Sequence, residues 1–344
     1  MTAFAAPTRP GHRSASPLVP WRQMGWVIWR QNRATLAVVV ALLGAASVYL
    51  YISGEQLHQQ SSVYFAAGPQ LSLSTALFQV IAPLIGVFVG APLLARELET
   101  GTFRFTWTQG FGRARWAIAT LAPIAIAVTV VVGAFGMLLS WAYGPRIGGE
   151  DGLSPLAGLT FDLRGVAVAG WVLLAFAIGV LAGLLIRRVV PAMFATVVAW
   201  TGLAVGAGFL RRYYEAPLVT TKLNPALSDW VTGQRWTQDG KPVSVSTVNQ
   251  VLQKIGAGIL GRNNQVGQLP GSASGSGQVA GSLSSTSGGV NPTQYLVHHG
   301  FALVSTYQPA SRFWPFQWIE GGWLFALALL LMGTAVWLVH RRAA

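Results

Sequence analysis

Long apolar runs alternate with short polar interruptions along this chain, and the runs are too long to be core elements of a water-soluble domain. Bounded by charges, prolines and polar clusters, six of them cover residues 34–52, 74–95, 116–143, 166–186, 189–210 and 319–340. Each meets or exceeds the roughly 17 to 25 residues a helix needs to cross a bilayer. The third is long enough to tilt or to extend beyond the membrane. The pattern predicts an all-α integral membrane protein with six transmembrane helices. A cleaved signal peptide is disfavoured for the first run, because 33 residues precede it and "ALLGAASVYLYIS" stays hydrophobic beyond its small residues.

The interruptions divide the chain further. Residues 1–33 form a tail and an expected N-terminal interfacial helix: "LVPWRQMGWVIWRQNR" interleaves Trp21, Trp26 and Trp29 with Arg22, Arg30 and Arg33. Tryptophans and snorkelling arginines suit the inner leaflet. The simpler alternative is a cytoplasmic extension of span 1. Residues 1–17 lack periodicity and read as disordered. Residues 34–210 hold spans 1–5, with a coupling loop at 96–115. Residues 211–318 form a large extracytoplasmic loop or cap, and 319–344 form span 6 and a second tail. Within the cap, the Gly/Ser-rich tract 261–292 reads as a flexible excursion. Val248, Val251, Leu252 and Ile255 predict a helix over 246–259. The segment "YQPASRFWPFQW", 307–318, brings Trp314, Phe316 and Trp318 to the mouth of span 6, as an aromatic belt or as a re-entrant turn shaping an exit gate.

Composition fits this picture: 52% of residues are hydrophobic and 10% charged, against about 25% charged in soluble domains. The net charge of +13 does not point to nucleic acid, because the basic residues sit mostly at the ends of apolar runs rather than on one patch. They set an orientation instead. Arginines crowd the segments before span 1, after span 2 (Arg96, Arg104, Arg113, Arg115), after span 4 (Arg187, Arg188) and after span 6. The positive-inside rule makes these cytoplasmic, so both termini lie inside and 211–318 lies outside. The expected location is a cell membrane, crossed several times, in contact with membrane lipids.

Chemistry is scarce in the spans. Deep within them there is no Asp, Glu, Lys, Arg or His; Glu320 sits at the outer edge of span 6 and His340 at its inner edge. A proton-coupled carrier or an intramembrane hydrolase needs a titratable relay or base there. The chain has no cysteine, and its five histidines lack metal-ligand spacing, so no metal site is expected. Without a G-x-x-x-x-G-K-[ST] loop the chain is not expected to hydrolyse ATP or to be an enzyme.

What the chain offers is "RELETGTFRFTWTQGFGRARW", 96–116. Span 2 is expected to continue to Glu99, Gly101 to break the helix, and Thr102 to N-cap a short new helix that Gly110 ends. On it, Phe103 and Trp107 stand i, i+4 and form one apolar ridge. That ridge fits a groove in a cytoplasmic partner; a solvated interfacial helix is the bland alternative.

Glu97, Glu99, Gly101, Thr102, Thr108, Gln109 and Arg113 together resemble the "E-x-E-x-G-T … T-Q-x-x-x-R" element of permease subunits in type-2 ABC exporters, especially the actinobacterial branch. The segments "WVIWRQNR" and "YQPASRFWPFQWIE" resemble that branch too. The resemblance implies six spans, cytoplasmic termini, an interfacial N-terminal helix, a coupling helix after span 2, and a dimeric core docked on two cytoplasmic ABC ATPase subunits. The chain then needs no cofactor of its own; ATP and Mg belong to the partner ATPase. A second permease copy or paralogue completes a path along spans 2 and 5. Phe78, Phe88, Phe194 and Trp200 are the candidates for contacting a hydrophobic or amphiphilic cargo such as an antibiotic, drug or lipid. Arg187 and Arg188 are the second expected cytoplasmic contact. A structural or sensory membrane subunit without transport, and a stand-alone secondary carrier, are the rival readings.

Overall fold

The computed structural model describes residues 21–59, 78–100, 113–147, 154–221, 228–255, 257–260, 266–267, 283–285 and 291–342. Six helices among them are long and apolar enough to cross a membrane. Helix α1 is Trp21–Gln59. Helix α2 joins Ile81–Ile85 to Ala91–Thr100 through a π-helical stretch, Gly86–Gly90. Helices α3 (Arg113–Tyr143), α4 (Gly165–Ile186) and α5 (Val189–Leu210) follow. After the cap helices α6 (Val245–Lys254) and α7 (Pro292–His298) comes α8, Phe313–Arg342, the sixth span.

Helix α4 is the centre of the bundle, with 72% of its apolar stretch buried. It carries almost no polar side chains, so any face can pack inward, and its neighbours are α2, α3, α5 and α8. Glycines let α2 approach it closely. A Cβ at Gly179 would stand 2.2 Å from the Gly86 carbonyl oxygen, and one at Gly183 would stand 2.4 Å from that of Ala91. Without a hydrophobic driving force between helices in lipid, backbone approach of this kind supplies the attraction. The π-helical stretch lies in that contact, where the Gly86 and Gly90 backbone meets α4. By contrast α5 is peripheral, with only 11% of its apolar stretch buried.

Three expectations change. The segment 21–33 is not a separate helix; it forms the start of α1, because nothing between Trp21 and Ala34 breaks the helix. The re-entrant turn at 307–318 is replaced by the end of a strand, a 3-10 turn at Ala310–Arg312 and the first turns of α8, where Pro315 occupies an early helical position that needs no N–H. The third concerns the cap, which is not all helical. Strands β1 (Leu218–Thr220), β2 (Trp230–Gln238), β3 (Lys241–Val243) and β7 (Phe301–Gln308) form an antiparallel sheet in the order β1-β7-β2-β3. Asp239 and Gly240, both with positive φ, make the tight β2–β3 turn. A second sheet has the order β5-β4-β6, from β4 (Ala257–Leu260), β5 (Val266–Gly267) and β6 (Leu283–Ser285). The helix expected over 246–259 therefore stops at Lys254, and the chain continues as β4.

The cap has its own core of Trp236, Val248, Leu252, Leu296, Phe301 and Leu303. Helix α6 starts at an N-cap, where Ser244 Oγ accepts from the Thr247 N–H; Asn291 does the same for α7. The rest of the Gly/Ser tract and residues 1–20 lie outside the described residues.

Candidate functional site

At the bundle end away from the cap, α2 finishes at Thr100, whose hydroxyl donates to the Arg96 carbonyl at 2.8 Å. Arg187 closes α4 in the left-handed conformation (φ 58°, ψ 17°), and Arg188 is extended, so the chain reverses within two residues into α5. That start leaves backbone N–H groups without helical partners. Glu99 Oε2 accepts one of them, from Val189, at 3.3 Å. A carboxylate at a helix N-terminus is favoured by both hydrogen bonding and the helix dipole. Glu99 thus ties the end of α2 to the α4–α5 turn.

Two cavities lie higher in the bundle. A groove of about 760 Å³ runs between α1 and α2, walled by Leu42, Leu43, Phe78, Ile81, Ile85 and Phe88 among others. The described residues that line it are all apolar, and Leu42, Leu84 and Phe88 are exposed on the outside of the bundle. A smaller cavity of about 250 Å³ lies between α2, α3, α4 and α5, with Phe78, Phe135, Trp171 and Trp200 in its walls. Phe78 and Ile81 belong to both. Trp171 and Trp200 meet edge to face at 5.7 Å, and Trp200 Nε1 is buried without a hydrogen-bond partner.

The cap end of the bundle holds a buried ion cluster. Glu320, near the start of α8, is fully buried, as is Arg211 just after α5. Arg211 donates to Glu320 from Nε at 2.9 Å and from Nη2 at 2.8 Å. The same Nη2 donates to Asp162 Oδ1. Trp171 Nε1 and the Tyr214 hydroxyl also donate to Glu320, at 3.1 and 3.3 Å, and Trp323 Nε1 donates to the Tyr214 oxygen at 3.0 Å. The Arg211 guanidinium lies over the Phe161 ring, 4.2 Å from its centroid. Beside it Gln317 fastens α8 to α4, accepting from the Ala167 N–H at 2.8 Å and donating to the Phe161 carbonyl at 3.0 Å. Burial pushes the Asp162 carboxyl up to about 7; Arg211 opposes the shift and Glu320 adds to it. Burial likewise raises the Tyr214 hydroxyl, to about 12, and lowers Arg164.

The family model described as ABC-2 membrane transporter related matches residues 25–212. The chain belongs to this family. It is a multi-pass membrane protein and a transporter subunit of the ABC-2 permease type, the kind that works with an ABC ATPase. The match covers α1 to α5 and ends where the cap begins. No curated protein and no solved structure matches.

In this ABC-2-related transporter the expected site residues fall in different places. Glu97 and Glu99 stand on the last turns of α2, and Arg187 and Arg188 beside them across the Glu99 contact. Gly101, Thr102, Phe103, Trp107 and Gln109 lie outside the described residues, and Arg113 opens α3. Phe78, Phe88 and Trp200 line cavities, but Phe194 lines neither and is 71% exposed on α5. Phe316 is fully buried against Tyr214, whereas Trp314 and Trp318 face outward. Sequence reasoning missed the transporter's ion cluster. Its members are visible in the sequence only one by one: Asp162, Arg211 and Glu320 each sit within a few residues of a span end, and nothing in the order pairs them.

Proposed function

We propose that this chain is the permease subunit of an ABC exporter, of the actinobacterial branch that its sequence resembles. A second permease, copy or paralogue, and two separate ATPase subunits complete the machine. The observation that carries this reading, beside the family, is the Glu99–Val189 contact. It ties the end of α2, within the coupling loop 96–115, to the Arg187–Arg188 turn, so a motor engaging one cytoplasmic element pulls on the other. Both termini, this turn and the coupling loop are cytoplasmic in this reading, and the cap is outside. Phe103 and Trp107 occupy a groove of the ATPase, which binds ATP and Mg. Helices α2 and α5 of two permeases line the path; the poorly buried face of α5 is consistent with a partner there. Cargo is hydrophobic or amphiphilic, in keeping with the apolar groove beside Phe78 and Phe88.

The test is co-reconstitution with the adjacent ATPase in liposomes. Transport that needs ATP and the ATPase, and that survives an uncoupler collapsing the proton gradient and potential, supports the reading. Uncoupler-sensitive transport by the chain alone would restore a secondary carrier. Stable assembly without transport of any amphiphile would restore a structural or sensory subunit.

A further inference from the structure

The small cavity between α2, α3, α4 and α5 has an unusual wall. Among the described residues its lining is aromatic and aliphatic except for Gln79 and one ionisable side chain, Asp162. That side chain is 25% exposed, whereas Glu320 behind it is sealed. The charges around them do not balance within the cluster. Arg211 gives Glu320 two hydrogen bonds, and Trp171 and Tyr214 give two more; Asp162 receives one contact from the same guanidinium. Among the described residues two carboxylates therefore share one cation. Arg164, on the same segment as Asp162, is turned toward Ser140 Oγ at 3.4 Å and the Phe313 ring at 5.2 Å, and it makes no ion pair with Asp162. Tyr214 faces Glu320 rather than Asp162.

An excess negative charge in an apolar cavity is costly unless a proton or a cation balances it. The walls favour a cation of a particular kind. Phe78, Phe135, Trp171 and Trp200 present aromatic surface, which attracts organic ammonium groups more than it attracts anions. The space, about 250 Å³, suits a head group rather than a whole amphiphile. Space for the remainder lies next to it: Phe78 and Ile81 also wall the apolar groove of about 760 Å³, part of whose lining is exposed on the bundle flank.

We propose that this cavity recognises the cationic head of an amphiphile, with Asp162 as counter-ion, the four aromatics as walls, and the α1–α2 groove holding the tail. As the cargo site of an exporter, the proposal rests on the permease reading above. The cluster behind it has a definite part: Arg211 gives Glu320 two hydrogen bonds and Asp162 one, so its single charge cannot balance both carboxylates, and the ligand's cation supplies the second. Protonation of Asp162 competes with the cation, and burial already favours the proton at mildly acidic pH.

The test uses the full chain in lipid nanodiscs, with empty nanodiscs subtracted. The probes are decyltrimethylammonium and decanesulfonate, matched in tail and opposite in charge. The cation is expected to bind about tenfold or more tightly than the anion, and Asp162→Asn to remove that preference. Trp200→Leu keeps the carboxylate and is expected to weaken the cation several-fold. If Asp162→Asn does not fold, acidification of the wild-type protein from about pH 8 to about pH 5 gives the same reading: cation binding falls and anion binding does not. Equal affinity for the two probes, or cation binding unchanged in folded Asp162→Asn, overturns the proposal. Failure of the permease reading looks different. In that case Asp162-dependent binding persists while ATP and the ATPase move nothing, whereas ATP-driven export indifferent to cargo charge and to Asp162→Asn sinks the site and leaves the permease standing.

Discussion

Arg211 and Glu320, 109 positions apart in the chain, meet through two parallel hydrogen bonds of 2.9 and 2.8 Å, with both side chains withdrawn from solvent. The pair joins the end of α5 to the start of α8, immediately beneath the cap. Chain connections reinforce the joint: Arg312, just before α8, pairs with Glu215, just after α5, at 2.7 Å. Movement of α5 against α8 must therefore be accommodated by the cap that links them.

Removing one partner of a buried ion pair leaves the other charge stranded, which costs about 3–5 kcal/mol. Arg211→Ala is expected to show such a loss in thermal unfolding of the detergent-solubilised protein. Glu320→Gln keeps an acceptor for Arg211 and Trp171 and should lose less. The double variant Arg211→Met, Glu320→Leu should be more stable than Arg211→Ala, because the sealed carboxylate at 320 is gone and Asp162, a quarter exposed, can take up a proton. Equal melting temperatures for wild type and Arg211→Ala would show that the pair carries no stability.

The α2–α4 contact predicts a different pattern. Adding a methyl at Gly179 places it 2.2 Å from the Gly86 carbonyl oxygen and 2.8 Å from the Ala91 nitrogen, both backbone atoms that cannot rotate away. Gly179→Ala should destabilise the bundle by about 1–3 kcal/mol, the usual cost of overpacking. Gly202→Ala on α5 meets nothing within 4 Å. There the helix propensity of alanine should leave stability equal or slightly higher. Similar melting losses for both variants would remove close backbone approach as the cause.

Much of this architecture can be read in the amino-acid order, and the exceptions have physical reasons. Runs such as 189–210 are apolar on every side, and nothing but a membrane helix satisfies both their side chains and their backbone; α5 has those very limits. Span 6 begins earlier than its hydropathy suggests, because Phe313 to Trp318 continue the helix with aromatics rather than breaking it. The cap sheets were hidden for another reason. Strand β2, WVTGQRWTQ, has weak alternation and a register shift between Val231 and Gly233, and its burial is decided by pairing with β7 some 70 positions on. Cavity residues separate in the same way: Phe78 and Trp200 face inward and Phe194 outward, a distinction that a helix apolar all round does not encode. The ion cluster was hidden because its members come from three span ends, and only the packing brings their charges together.

Titration of Asp162 gives a prediction with a definite sign. Its carboxyl is raised in the folded protein from 3.8 to about 7, so between those values the native state binds a proton that the unfolded chain has released. The stabilisation is present in full below the unfolded value and is lost as pH rises through about 7. Melting temperature in wild type should therefore carry a declining contribution from about pH 4 to about pH 7 that levels off above it. Asp162→Asn, which cannot titrate, should flatten that segment of the profile. A wild-type profile as flat as that of Asp162→Asn over the same range would mean that the folded protein holds Asp162 ionised.

The last prediction concerns how the motor grips the permease. Phe103 and Trp107 fall on one face of the expected coupling helix, and truncating a buried aromatic anchor at an interface typically costs at least about 2 kcal/mol. Phe103→Ala with Trp107→Ala should abolish co-purification with the ATPase while the chain still inserts in the membrane. Gly101→Leu acts on direction instead of contact. Helix α2 ends at Thr100, and Gly101 is the residue expected to let the chain turn there. A helix continued through 101 would carry the aromatics away from the bundle end, where Glu99 holds the α4–α5 turn at Val189. That variant should retain residual assembly yet lose ATP-driven transport, whereas Glu99→Ala should keep assembly and weaken the link between hydrolysis and transport. Co-purification yield, ATPase rate and vesicle transport, measured side by side, separate the three. Full coupling in all of them would remove this end of the bundle from the mechanism.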